Sequence, residues 1–113
     1  MRPTPTAIGY LRREVSGISQ AWDETHIRSR AKRLGYDLAK TVVFGDATDH
    51  PLGRLLTVVL QLDVDAVIVP SAEHFGGTVP EELVQVCDVI TTSPENTYAR
   101  WAIPSPSLPL DGM

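Results

Sequence analysis

The feature that most constrains the fold of this chain is a short, almost uninterrupted apolar run from Val64 to Val69. A strand with one face in water alternates apolar and polar residues, whereas a strand covered on both faces is apolar nearly throughout. Apolar residues also recur at helical spacing just before the run, at Leu52, Leu55, Leu56, Val59 and Leu60. A helix that leads into a doubly covered strand is typical of α/β folds.

Further segments continue this alternation. Strands are predicted at Thr6–Leu11, Thr41–Phe44 and Val89–Thr92, and helices at about Gln20–Leu34 and Pro80–Val86. Ile27, Ala31 and Leu34 are expected to form the inward stripe of the first helix, and Gly35 is placed to end it in a left-handed cap. Asp49 or His50 is the expected cap of the leucine-rich helix, with Pro51 in its first turn.

This order predicts one α/β domain with three layers, in which helices cover a mostly parallel sheet of four or five strands. The domain is expected to span residues 1–101, followed by a flexible, proline-rich tail at residues 102–113. A polyproline ligand is the alternative for this tail. Residues 12 to about 19 are expected to form a loop.

Length and composition suit one domain, since the chain has 113 residues of which 42% are apolar. We expect no membrane segment, because no apolar run approaches the roughly 18 residues that cross a bilayer. We expect a cytoplasmic location, because the amino terminus lacks the apolar region of a signal peptide. Cys87, the only cysteine, is expected to be a buried core residue.

We expect neither a metal ion nor an organic cofactor to be bound. His26, His50 and His74 lie far apart without a second metal ligand at helical spacing. A nucleotide site would need a glycine-rich turn after the first strand, where bulky Arg12 and Arg13 stand instead.

Charge is divided unevenly along the chain, although the net charge is only −4. The first 40 residues carry eight basic and four acidic side chains, and the remainder carries two basic and ten acidic ones. The basic half could contact phosphate weakly, while the acidic total disfavours strong nonspecific DNA binding. A solvated helix face with cations near its carboxyl end is the alternative.

Two polar segments follow predicted strands, Arg12–Ser16 after the first and Glu73–Gly77 after the run that ends at Val69. Ligands of open α/β sheets bind just beyond the carboxyl ends of neighbouring strands. We therefore expect these two segments to face each other and to form the site.

Tyr10-Leu11-Arg12 followed by Val15-Ser16 resembles the Tyr-x-Arg-Val-Ser signature of the serine recombinases, the resolvases and invertases. Further matches run in register over roughly Ala7 to Thr92, including His50-Pro51 for the family's Arg-Pro segment. The resemblance implies a resolvase-like fold, with Ser16 as the nucleophile that attacks a DNA phosphodiester and Arg12 as a phosphate ligand. Preorganised arginines would stabilise the charge that develops during such a phosphoryl transfer.

The chain departs from the family pattern at the positions that supply positive charge. His50 and His74 stand where the family has arginines, Gly77 replaces another, and Arg13-Glu14 is inserted before Val15. Loss of one preorganised cation can cost about 3 kcal/mol of transition-state stabilisation. The resemblance, with these departures, therefore implies a stand-alone domain that has lost strand exchange. Such a domain would bind an unidentified protein partner or a second copy of itself.

Two other interpretations remain open. One is an active recombinase-type enzyme whose partner supplies DNA binding, since the family's long dimer helix and DNA-reading region are not expected here. The other is a small anion site between Arg12, Ser16 and Ser71. Arg13, Ser71, Glu73, His74 and His50 are the further candidate binding residues. Ser16 could instead be a loop serine bonded to backbone, and His74 is expected to be an exposed loop histidine.

Overall fold

The computed structural model describes residues 4–100, in which five strands alternate with helices. The strands are β1 (Thr6–Arg12), β2 (Asp37–Phe44), β3 (Ala66–Val69), β4 (Asp88–Thr92) and β5 (Glu95–Tyr98). The helices are α1 (Arg13–Ser16), α2 (Gln20–Leu34), α3 (Pro51–Leu62) and α4 (Glu81–Val84). Short 3-10 turns occupy Gly17–Ser19 and Ala72–Phe75.

The sheet has the order β2-β1-β3-β4-β5. The first four strands are mutually parallel, and β5 pairs antiparallel with β4 after the cis Ser93–Pro94 bond. Chain order reverses between β1 and β3, so the crevice at their carboxyl ends is where this class of sheet binds ligands. The predicted α/β domain with a mostly parallel sheet is confirmed, with five strands.

Helices cover both faces of the sheet. Ile27 and Ala31 of α2 pack against one face, where Ala7, Leu11 and Ile68 are buried. Residues of α3 and α4 cover the other face, where the strand residues Ile8, Tyr10, Val67, Val69 and Val89 are buried. All four residues of β3 are buried, as the apolar run predicts. Cys87 is also fully buried in this second cluster, which confirms its predicted place in the core.

Several local predictions are wrong. The segment predicted as a loop at residues 12–19 is instead the end of β1, helix α1 and a 3-10 turn. Leu34, predicted to point inward, is 42% exposed, and Leu60, the last residue of the apolar series in α3, is 64% exposed. Helical spacing alone does not settle such positions, because the width of the buried stripe depends on how closely the helix approaches the sheet. Residues 101–113, including the proline-rich tail, lie outside the described residues.

Gly9 in the middle of β1 allows β2 and α2 to approach this strand closely. A Cβ atom on this residue would lie 2.8 Å from Thr41 Oγ1 and 2.9 Å from Ile27 Cγ2, below normal contact distance. A side chain at this position would therefore force both β2 and α2 away from β1.

We expect Gly9→Ala to lower the free energy of unfolding by about 1–3 kcal/mol through this overpacking. The control is Gly53→Ala in α3, where the added Cβ would have only His50 Cβ nearby, at 3.9 Å. Alanine there should stabilise the helix by roughly 0.5–1 kcal/mol. Urea unfolding of both variants measures the difference, and equal effects would contradict the steric account.

Candidate functional site

The two polar segments meet at the carboxyl edge of the sheet. β1 and β3 are paired parallel neighbours, so the chain leaves both strands on the same side. Arg12–Ser16 continues from β1, and the turn at Ala72–Phe75 follows β3. The Phe75 ring stacks on Tyr10 with ring centroids 5.3 Å apart, which holds this turn against β1.

A hydrogen bond joins the segments directly. The backbone N–H of Arg12 donates to Nδ1 of His74 over 2.9 Å. His74 is only 2% exposed, so its prediction as an exposed loop histidine is wrong. The cause is the 3-10 turn that begins at Ser71, because it directs the ring toward β1 and away from solvent.

This bond assigns the protonation state of His74. Since Nδ1 accepts this hydrogen bond, it carries no hydrogen itself, and the neutral imidazole carries its hydrogen on Nε2. Burial lowers the pKa of His74 below its usual value, although Asp23, Glu14 and Glu73 act in the opposite direction and Arg12 adds a smaller lowering effect. His74 is therefore a neutral acceptor at pH 7 and supplies no positive charge at this edge.

Ser16 is held by a carboxylate. It lies at the end of α1, is 8% exposed, and donates from Oγ to Asp23 Oδ2 over 2.7 Å. The alternative in which Ser16 bonds to nearby backbone is therefore wrong, because its hydroxyl donates to a side chain. Asp23 stands in the first turn of α2, so this bond joins α1 to α2.

Arg12 is also neutralised locally, because its guanidinium forms an ion pair with Glu14. It lies close enough to the Tyr10 hydroxyl to lower the pKa of that group, although burial has the larger effect and raises it. The Arg12 side chain is 21% exposed, and its Nε is buried without a hydrogen-bond partner in residues 4–100. One donor of the guanidinium thus remains unused.

The other candidate residues take separate places. Arg13 is exposed, and its guanidinium lies over Gly45, where a Cβ atom would be 2.6 Å from Nη1. His50 is exposed at the start of α3 with a left-handed backbone, φ 47°, and its side chain does not cap the helix. Ser71 Oγ accepts from the Glu73 N–H over 3.3 Å and so caps the turn, whereas Glu73 itself is exposed.

The contacts therefore unite some of the predicted site residues and leave others apart. Arg12 and His74 are joined by a hydrogen bond, and Ser16 is bonded to Asp23, whose charge raises the pKa of His74 against the larger effect of burial. The predicted small anion site would bring together Arg12, Ser16 and Ser71. Within the described part of the chain, no hydrogen bond joins any of these three side chains to another.

Sequence reasoning missed Glu14 as the partner of Arg12 and Asp23 as the partner of Ser16. The signal for Glu14 was its place two residues after Arg12. Asp23 is seven residues from Ser16, and it faces the serine only because α1 and the 3-10 turn fold the predicted loop back onto α2. No sequence rule that assumed a loop there could have paired them.

Two further observations bear on chemistry at this protein. In residues 4–100, no group of three His, Cys, Asp or Glu side chains is arranged to hold a metal ion, and no helix is long and apolar enough to cross a membrane. Burial raises the pKa of the Cys87 thiol to about 12, so the thiol is protonated and unreactive at neutral pH.

Comparisons with family models, with curated proteins and with solved structures gave no match. The resemblance to serine recombinases therefore stays a prediction from the sequence motifs.

Two substitutions of His74 test the bond to Arg12. His74→Leu leaves the Arg12 N–H buried without an acceptor, which should cost about 1–3 kcal/mol of unfolding free energy. His74→Asn offers a side-chain carbonyl oxygen as acceptor and should cost less. Urea unfolding at pH 7.5 measures both, and an asparagine variant as unstable as the leucine variant would contradict this role of Nδ1.

Stability should also depend on the protonation of His74. The pKa of the unfolded histidine is about 6.5 and the folded value is lower, so the unfolded state binds the proton first as the pH falls. The free energy of unfolding should therefore decline as the pH drops below about 6.5 and level off below the folded pKa. The pH dependence of urea unfolding, compared with that of His74→Asn, isolates this contribution. Identical profiles would contradict it.

Proposed function

We propose that this chain is a resolvase-like domain that has lost DNA strand exchange and acts as a protein-binding or regulatory module. The observation that carries the proposal is the pairing of both retained signature residues with carboxylates. Arg12 pairs with Glu14, and Ser16 donates to Asp23. The Arg12–Glu14 pair would have to be broken before a phosphodiester could take its place, and the Asp23 carboxylate places negative charge beside Ser16.

The electrostatics of the edge argue in the same direction. Glu14, Asp23 and Glu73 all act on His74, which is neutral and contributes no cation. Phosphoryl transfer depends chiefly on positive groups that are already directed at the phosphate oxygens. At this edge Arg12 is paired with Glu14 and the charged groups that act on His74 are mainly carboxylates, so few cations are directed at a phosphate there.

A protein-binding role is supported by apolar side chains beside this edge. Val15 of α1 is 40% exposed, Ile18 in the following 3-10 turn is fully exposed, and Trp22 of α2 is 65% exposed. Tryptophan is enriched among the residues that dominate binding energy at protein interfaces. We refer to Val15, Ile18 and Trp22 as the apolar patch.

One observation favours the second candidate function, DNA cleavage and rejoining through a phosphoserine link. The 2.7 Å contact between Ser16 Oγ and Asp23 has the geometry of a nucleophile beside a general base, and Arg12 Nε has no partner among residues 4–100. A partner that supplied both DNA binding and cations would be needed to use them.

A suicide DNA substrate, nicked so that rejoining fails, distinguishes the two functions. We expect no covalent adduct by intact mass spectrometry with the wild-type chain, and no difference from Ser16→Ala. A phosphoserine adduct at Ser16 that is absent from Ser16→Ala would overturn the proposal and support the recombinase. The His74→Asn variant provides a folded control in which the nucleophile is intact.

The binding role is tested by site-specific photocrosslinking in the source cells. A benzophenone amino acid at position 18 should give a discrete crosslinked product that Trp22→Ser diminishes at least about tenfold, as expected for loss of a residue that dominates an interface. The same photoreactive group at Leu60, which is 64% exposed on α3, is the control. Identical products from both positions would contradict a role for the apolar patch.

A further inference from the structure

The strand β5 presents an open edge of the sheet. It is the outermost strand, and in residues 4–100 no strand pairs with its outer side. All four of its residues, Glu95 to Tyr98, are exposed. The outer edge of an antiparallel strand carries backbone N–H and C=O groups that can bind a further strand.

The opposite edge of the sheet is protected in a way that β5 is not. The pairing of β2 with β1 shifts register so that Ala39 is an extra residue between Leu38 and Lys40, and Lys40 is exposed. Bulges and lysines are common means of preventing strand addition at edges. Within Glu95–Tyr98 there is neither a lysine, a proline nor a register shift.

An apolar cavity borders β5 on the face that α4 covers. Its volume is about 370 Å³, and its lining includes Val79, Val84, Tyr98 and Ala99. Tyr98 lies opposite Val89, a core residue of that same face. A side chain of an added strand that pointed to this face would therefore reach an apolar surface beside Tyr98.

A polar cavity of about 360 Å³ borders β5 on the α2 face. It is lined by His26, Ser29, Arg33, Thr92 and Glu95. Arg33 donates to Glu95 over 2.7 Å, and Arg30 is 3.6 Å from the other carboxylate oxygen. The hydrogen bond from Arg33, with the charge of Arg30, lowers the pKa of Glu95 and keeps it ionised.

The two arginines have capacity for a second carboxylate. Arg30 Nε is buried and has no hydrogen-bond partner in the described residues, and the Arg33 side chain is 58% exposed. Two guanidinium groups beside one carboxylate leave a net positive charge on the α2 side of β5. This charge is complementary to an acidic side chain on an incoming strand.

We propose that the outer edge of β5 binds an extended segment of a partner protein as a sixth strand, with apolar side chains toward α4 and acidic side chains toward Arg30 and Arg33. Successive side chains of a strand point to opposite faces, so one segment with alternating apolar and acidic residues serves both cavities. Backbone hydrogen bonds would supply affinity and the two cavities specificity. This surface is separate from the apolar patch and does not depend on the loss of catalysis.

The probe is a capped hexapeptide of alternating valine and glutamate, with the corresponding valine–lysine peptide as control. We expect the glutamate peptide to shift the amide resonances of residues 95–98 and to bind at least about tenfold more tightly than the lysine peptide at low salt. Methylation of alternate peptide nitrogens on its pairing side should abolish the shifts, because it removes the donors of the ladder. Equal binding of both peptides, or binding that survives methylation, would overturn the proposal.

Two variants should shift the preference for the glutamate peptide over the lysine peptide in opposite directions. Glu95→Gln removes the internal carboxylate and should tighten binding of the glutamate peptide, whereas Arg33→Glu should weaken it and favour the lysine peptide. Arg28→Glu, a charge reversal at another exposed position of α2, should change the preference less than Arg33→Glu. Unchanged preference in both Glu95→Gln and Arg33→Glu would contradict the role of the arginines.

Hydrogen exchange of the 113-residue chain without peptide tests whether the β5 edge is instead occupied by another part of the same chain or by a second copy. We expect exchange at the outward amides of β5 to be unprotected and independent of protein concentration. Protection that disappears on deletion of residues 101–113 would assign the edge to the chain itself. Protection that rises with concentration would assign it to a second copy, and either result would overturn the proposal.

Discussion

Parallel pairing of β1 with β3 at the centre of the sheet is the constraint on which the rest of this structure depends. Both strands are buried between helical layers, and the absence of a side chain at Gly9 lets β2 and α2 approach β1 closely. The chain must consequently leave both strands at the same edge, where the Arg12 N–H meets His74 Nδ1. Because that N–H needs an acceptor away from water, the hydrogen bond also determines the tautomer of the histidine.

Local charge at this edge differs from the charge of the segment that forms it. The first 40 residues are strongly basic, yet the side chains that approach Arg12, Ser16 and His74 are carboxylates. Several of the other cations lie farther along α2, where Arg30 and Arg33 meet Glu95. A phosphate would therefore find less positive charge at the strand ends than the composition suggests, which supports a binding role over phosphoryl transfer.

Helix α2 connects the two surfaces for which we propose partners. Its first turn carries Trp22 and Asp23, beside the carboxyl edge, and its last turns carry the arginines beside β5. The centroids of the Trp22 and His26 rings are 4.5 Å apart, and His26 also lines the polar cavity beside β5. Helix α2 thus contributes residues to both surfaces.

The sequence by itself determined the α/β class, the buried β3, the bounds of α2 and the placement of two polar segments at neighbouring strand ends, because periodicity and apolar runs report burial directly. It did not predict β5, since Glu95–Tyr98 is a short, exposed segment without an apolar run, nor α1, which is a single turn. Only the tertiary structure decided that His74 is buried and neutral, that Ser16 meets Asp23, and that Arg33 meets Glu95 across 62 residues. These pairings depend on how a turn, a helix and an edge strand approach one another in space, and no local pattern of residues encodes how close they come.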